Sequence, residues 1–405
     1  MAKGFVWLPP FAMAGGRWIC RDGQRGGKTT DALCAHSAYV LRGKTVPALP
    51  TRDTGASALY RPHQYANFLY IFSLAVDFQT NLLIIIHINM KLCGGIALFR
   101  VFIDGREGTT GLRISERLAA REDVELIALS EEKRKDAAAR KWALNACDAA
   151  ILCLPDAAAR EAVSMLENPD TIVLDASTAH RTAPGWAYGL PELGTTAREA
   201  ILSSKRVAVP GCHASGFIAL VAPLVAAGLL SPETPLSCTS LTGYSGGGKK
   251  MIADYAEKGA LYDPPRPYGL AQAHKHLPEM TKIAGLAQPP VFLPVVGNFY
   301  SGMLVSVPLH RTQLAKGAGM EDVRAVYKSL YAGPVVSWRE TVSEGGFASA
   351  GLLSGKDSMF VACEGNEERF TLLAVYDNLG KGASGAAVQL LNMKMGADMA
   401  AGLEL

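Results

Sequence analysis

One stretch limits the fold more than any other. Ala97–Ile103, apolar but for Arg100, reads as a buried strand, Asp104-Gly105-Arg106-Glu107-Gly108-Thr109-Thr110-Gly111 follows, and Leu112–Ala120 has the spacing of an amphipathic helix. Strand, glycine-rich turn and helix in that order open a βαβ unit suited to a dinucleotide pyrophosphate. The glycines let the backbone approach the phosphates, and the helix N-terminus offers unpaired N–H groups and a positive dipole end. Gly105, Gly108, Thr109, Thr110 and Gly111 are therefore candidate cofactor contacts. The spacing is G-x-x-G-x-x-G rather than G-x-G-x-x-G, so its place between strand and helix carries more weight than the triplet itself. A purely structural turn is the other reading.

Further βα units continue the pattern. Val124–Leu129 reads as a second strand, Ala149–Leu154 as a third with a helix through Leu166, and Thr171–Asp175 as a fourth, followed by Ala176-Ser177-Thr178. Strands alternating with helices predict an α/β fold with a parallel, doubly wound sheet. An NAD enzyme places an acidic residue at the end of the second strand, for the ribose 2′-hydroxyl. This chain has Ser130, then Glu131-Glu132-Lys133-Arg134-Lys135. A hydroxyl followed by a basic cluster suits the 2′-phosphate of NADP, and a solvated helix start accounts for the same residues equally.

The chain has 405 residues, with 40 Lys+Arg, 37 Asp+Glu and 8 Cys. That is long enough for two or three domains. A net charge of +3 gives no footprint for nucleic acid, and no C-x-x-C pair supports a zinc or thioredoxin motif. Scattered cysteines leave a reducing cytosol as the expected compartment. Residues 1–90 hold 9 Lys+Arg and 4 Asp but no Glu, which leaves 31 basic and 33 acidic residues in 91–405. Glycine and proline recur there without period, which reads as loop or disorder. The expectation is a poorly ordered extension, with Met90 as a possible natural start. Residues 66–89 are apolar, but Asn67, Asp77, Gln79, Asn81 and His87 interrupt them, against a membrane span.

The second half carries the chemistry. Arg206-Val-Ala-Val-Pro210-Gly211-Cys212 leads into an apolar helical run, Phe217–Leu230. Cys212 thus falls at a strand-to-helix junction, where a helix N-terminus stabilises a thiolate and lowers its pKa. Cys147 and Cys153 read as packing. Gly243-Tyr-Ser-Gly246-Gly-Gly-Lys249 is an anion-holding loop or a flexible connection. His274-Lys-His276-Leu-Pro-Glu279 suggests either metal ligation or a general base oriented by a carboxylate; no third His or Cys lies near for a metal. Asp377-Asn378-Leu-Gly-Lys-Gly382-Ala-Ser-Gly385 precedes a long helix, Ala387–Ala401, expected to return to the nucleotide half.

These motifs together resemble the N-acetyl-gamma-glutamyl-phosphate reductases of the shorter type (type 2). The resemblance rests on Asp104–Leu112, Lys133–Arg140, Asp175–Arg181, Tyr188–Glu192, Pro210–Cys212, Gly243–Lys249, His274–Glu279 and Asp377–Gly385, in order, through about residues 97–400. It implies a Rossmann-type NADP domain (91–205 and 377–405) and an α+β substrate and dimerisation domain (206–376), in a homo-oligomer, dimer or tetramer. It implies reduction of an acyl phosphate to an aldehyde in arginine biosynthesis, with a small-molecule substrate and no nucleic-acid partner. Cys212 would be the nucleophile. His276, or else His274, would be the acid/base, with Glu279 orienting it. Ser130, Lys133, Arg134, Ser177, Asn378 and Gly382 would join the cofactor contacts, and Arg181, Ser215, Gly246 and Lys249 would meet the substrate. The family usually has Tyr-Pro-Thr after the cysteine, where this chain has His213-Ala214-Ser215. Aspartate-semialdehyde dehydrogenase, a related fold with the same Cys/His chemistry, is the nearest rival. A non-catalytic NADP-binding sensor is a rival of another class.

Overall fold

A computed structural model describes residues 98–405 and, ahead of them, two short strands. The chain divides into Met1–Ile84 and Ile85–Leu405. In the first unit β1 (Phe11–Ala14) pairs antiparallel with β2 (Arg17–Cys20), Phe11 opposite Cys20. This pair departs from the loop expected there. The other expectations for residues 1–90, poor order, a start at Met90 and no span at 66–89, lie outside the described residues.

The nucleotide half is built from β3 (Phe99–Asp104), α1 (Thr109–Ala119), β4 (Val124–Ile127), α2 (Ala137–Ala146), β5 (Ala149–Leu152), α3 (Asp156–Ser164), β6 (Ile172–Asp175), β7 (Ala187–Tyr188), α4 (Thr195–Ser203) and β8 (Arg206–Ala208). The six strands pair in the order β4-β3-β5-β6-β8-β7, all parallel. Every residue of β5 and β6 is buried, as helices on both faces require. Side-chain alternation divides each strand between two cores. Val101 and Ile103 of β3 face α1, with Ile114 and Leu118, while Phe102 faces α2 and α3, with Leu144 and Ala159. β8 lies in this sheet, so the nucleotide half extends past the boundary expected at 205.

The chain then enters α5 (Cys212–Ala226) and the second half. This contains β9 (Ser237–Gly243), α6 (Gly248–Lys258), β10 (Arg266–Pro267), α7 (Leu277–Ala284), β11 (Val291–Gly297), β12 (Met303–His310), α8 (Met320–Leu330), β13 (Val336–Trp338), a β14–β15 hairpin (Ser343–Glu344, Phe347–Ala348), β16 (Met359–Gly365) and β17 (Arg369–Tyr376). Seven strands form a mixed sheet in the order β10-β11-β9-β12-β17-β16-β13. α5 is apolar around most of its circumference and is correspondingly buried, against α7, α8 and one face of this sheet. Tyr327 and Tyr331 donate hydroxyl hydrogen bonds to its Leu220 and Ala219 carbonyls at 2.5 and 2.6 Å.

After β17 a short π-turn (Gly380–Ser384) leads into α9 (Gly385–Met395), which packs Ala387, Leu390 and Leu391 beside Val101, Leu174 and Val207 of the parallel sheet. The returning helix is present but ends at Met395, short of Ala401. Gly396 turns left-handed at φ 71° and stops it. Among the described residues no helix is long and apolar enough to cross a membrane.

Candidate active site

The glycine turn after β3 is sterically exacting. Gly105 has φ +85°, and a Cβ there would lie 2.3 Å from the Cys153 carbonyl oxygen; a Cβ on Gly111 would lie 2.6 Å from the Gly105 oxygen. Gly108 is the N-cap of α1, with no side-chain cap and no acidic residue in the first turn, so the N–H groups around Thr109 and Thr110 are left for an anion. A cavity of about 560 Å³ opens beside them, at the C-terminal ends of β3 and β4, lined among others by Gly105, Arg106, Leu129, Arg134 and Lys135. It adjoins the gap between β3 and β5 where strand order reverses, the place a doubly wound sheet holds a dinucleotide. The residues present fit a nicotinamide dinucleotide. Arg134 lines the cavity and pairs with Glu131 at 2.8 Å, whereas Ser130 and Lys133 lie exposed on the adjoining turn.

Two expected cofactor contacts are occupied within the protein. The Ser177 hydroxyl donates to Asp175 at 2.8 Å. The Asn378 amide donates to Ser245 Oγ at 3.0 Å and accepts from the Gly302 N–H at 2.9 Å, tying the return segment to the β9 loop. Gly246, next to that contact, and Lys249 are exposed. Gly382 lies against Cys212 instead: a Cβ there would stand 3.0 Å from Cys212 Cβ.

Cys212 is the first residue of α5, and Gly211 is its N-cap. The helix start was expected to lower the thiol pKa; here burial outweighs it and pushes the thiol up, with Arg181 and the His213 N–H pulling the other way. Burial takes Cys147 to about 11 despite the Phe102 N–H and Arg100 near it, and takes Cys153, which has Asp175 and Asp104 nearby instead, to about 12.

Beneath Gly211 lies an ion pair the sequence did not reveal. Arg181 Nη1 donates to Glu279 Oε1 at 2.6 Å, Tyr188 donates its hydroxyl to Glu279 Oε2 at 2.8 Å, and the Gly211 N–H donates to the same oxygen at 3.1 Å. Arg181 also donates to the Val209 and Ala176 carbonyls, each at 3.0 Å. Glu279 therefore grips the residue before Cys212 and makes no hydrogen bond to His276. Arg181 thus gives one hydrogen bond from each of its three nitrogens to this clamp. Ser215 is also turned inward, its hydroxyl donating to the Gly211 carbonyl at 3.1 Å one helical turn back.

Three imidazoles group beside the helix start. His276 is 4% exposed and its Nδ1 has no hydrogen-bond partner. A Cβ on Gly211 would fall 2.7 Å from its Nε2, which places that nitrogen at the N-terminus of α5. Burial, then Arg181, pushes its pKa well below the usual imidazole value, so it is neutral. His274 lies perpendicular to it at 4.8 Å between centroids, and its Nδ1 accepts the His276 backbone N–H at 3.2 Å. His213 bridges Ser240 Oγ at 2.7 Å and Tyr268 OH at 2.8 Å, and burial lowers its pKa to about 3.

A part-buried cysteine at a helix start, a neutral histidine beside it and a dinucleotide cavity make a site for thiol-mediated redox chemistry at a carbonyl. Residues 100–202 match the family described as semialdehyde dehydrogenase, NAD binding domain, and residues 212–378 match semialdehyde dehydrogenase, dimerisation domain. An N-acetyl-gamma-glutamyl-phosphate reductase from Chelativorans sp. is 48% identical over 305 residues, 73% of this chain and 98% of that protein. The chain belongs to the N-acetyl-gamma-glutamyl-phosphate reductase family. Members from Trichormus variabilis and Pseudomonas putida are 45% and 46% identical, over 97% and 98% of their own lengths. The reductase fold is shared more widely. Aspartate semialdehyde dehydrogenase II from Vibrio cholerae superposes with a TM-score of 0.58 at 17% identity, covering 74% of this chain and 98% of that one. Like other members, this reductase is a nicotinamide-dependent oxidoreductase built to assemble through its second domain.

Proposed function

We propose that the protein reduces N-acetyl-gamma-glutamyl phosphate to N-acetylglutamate 5-semialdehyde, releasing phosphate, with NADPH as reductant, in arginine biosynthesis. The observation that carries this reading is Cys212 at the head of α5 beside the neutral His276, in a chain that spans almost the whole of its reductase relatives. His276 takes the Cys212 proton as the sulfur attacks the acyl-phosphate carbon and phosphate leaves, which leaves the acyl group on Sγ as a thioester. The nicotinamide, when bound, supplies the hydride that takes this acyl group to the aldehyde level. N–H groups of the first turn of α5 face the carbonyl oxygen as it gains charge. The oxyanion then collapses to the aldehyde as the C–S bond breaks, and His276 returns its proton to the departing Cys212 sulfur. Gly105, Gly108, Thr109, Thr110 and Gly111 hold the pyrophosphate, and Arg134 faces the 2′-phosphate. The enzyme works as a dimer or tetramer in the cytoplasm.

The test runs the reaction backwards. The protein is given N-acetylglutamate semialdehyde, phosphate and NADP, with aspartate semialdehyde and NAD in parallel assays. Phosphate-dependent NADPH formation with the acetylated substrate is the expected result. Turnover only with aspartate semialdehyde would assign the other substrate, and turnover only with NAD would refute the cofactor preference.

A further inference from the structure

Tyr188–Glu192 has no chemistry of its own, yet both ends of this short segment reach the nucleophile. It leaves the parallel sheet at β7, and the Gly189 N–H still bonds to the Ala208 carbonyl at 2.8 Å. A Cβ on Gly189 would lie 2.5 Å from Leu390 and 2.8 Å from the Ala208 oxygen, so the strap is pressed against β8 and α9. At its start, Tyr188 bonds to the Glu279 carboxylate, which holds the N–H of Gly211, the residue before Cys212. At its far end, both Glu192 oxygens accept from Lys381 Nζ, at 2.8 and 2.9 Å.

Lys381 is 1% exposed, and its third donor goes to Gln389 Oε1 at 2.6 Å. It stands in the π-turn one residue before Gly382, whose bare Cα lies against Cys212. A buried lysine-carboxylate pair is a poor source of stability but fixes a register, because an unpaired partner is costly. One strap therefore seats the backbone ahead of Cys212 through Tyr188 and the backbone behind it through Lys381.

We infer that Lys381 and Glu192 are positioning residues for the Cys212 nucleophile, with Tyr188–Glu192 as the brace that joins them to the Glu279 clamp. The inference rests on the thiol chemistry proposed above, though not on which acyl phosphate is the substrate. A misplacement of about 1 Å at a reacting group can cost about 10²-fold in rate. Loosening one side of the brace should act on that scale in kcat and leave KM little changed.

The test separates positioning from folding. Lys381→Met alone strands a buried carboxylate, so its loss of stability is uninformative. Gln389, also buried, accepts from Lys381 and donates to Glu192 at 2.7 Å, so Lys381→Met is combined with Glu192→Met and Gln389→Met, which removes both charges and the amide that joins them and keeps the volume, and the thermal midpoint should return close to that of the wild type. Tyr188→Phe removes only a hydroxyl from the other end. In the triple variant, kcat and the second-order rate of Cys212 alkylation by iodoacetamide should both remain about 10²-fold down, with NADP affinity unchanged. Tyr188→Phe should lower both rates in the same sense. Recovery of turnover and alkylation together with the thermal midpoint would show that the pair serves the fold alone and overturn the inference. Alkylation is read without substrate, so a wrong substrate assignment would appear as an inactive wild type with the alkylation differences intact.

Discussion

Cys212 sits in a setting that raises its thiol pKa, with groups that favour the thiolate close by. The His213 N–H and Arg181 favour the thiolate, and neutral His276 can take the proton. Replacing Cys212 by Ser should lower turnover by about 10³-fold or more, because a hydroxyl in this place is not ionised and leaves poorly. A near-normal rate would remove Cys212 from the mechanism. The imidazoles link the site to stability. The folded-state pKa of His213 is lowered from 6.5 to about 3, so below 6.5 the unfolded chain binds the proton more readily. Its contribution is fully present above pH 6.5 and is lost as pH falls from there toward 3; His274 and His276 shift in the same direction. Urea midpoints measured across that range should fall steeply with acid, and less steeply in His213→Gln. Parallel slopes would show that His213 is not the cause. Cys212 was legible in the sequence because a strand and an apolar helix flank it. The clamp was not, since Arg181 and Glu279 are 98 residues apart and only the fold brings them together.

At the level of elements, the N-terminus of α5 is the most crowded point of the site. A Cβ on Gly211 would meet Arg181 Nη1 at 2.3 Å, Glu279 Oε1 at 2.5 Å and His276 Nε2 at 2.7 Å. Gly211→Ala should destabilise the fold by about 1–3 kcal/mol, as overpacking does. It should also lower kcat by about 10²-fold by moving the helix start. Cofactor titration and thermal unfolding distinguish this from global damage, since α1 and its cavity are built from other residues. The strand-turn-helix of β3 and α1 was readable because apolar period and glycine spacing coincide there. The ends were less so. α1 begins at Thr109, three residues before the expected Leu112, because Gly108 as N-cap admits the helix as soon as its extended backbone ends. β8 reads in sequence as part of the second half because its three residues lie beside Cys212, although their hydrogen bonds run to β6 and β7.

For the molecule as a whole, alternating strands and helices made the parallel sheet legible, whereas the mixed sheet was not, since its order joins strands far apart in the chain. β9 lies between β11 and β12, and β12 pairs with β17 some 60 residues later. The reductase relatives align over 73% of the chain, and their family domains begin at residue 100. A chain of residues 91–405 should therefore keep the turnover of the full-length protein in the same coupled assay. Loss of activity in a folded 91–405 chain would give the first 90 residues a part in the enzyme.

The polypeptide passes between the two halves twice, once at Val209–Gly211 and again at Asp377–Leu379, and both passages run beside Cys212. Cys212 thus stands at the seam of the two halves with a covalent crossing on either side of it, as a keystone stands between two courses, and the backbone around the sulfur is held from both.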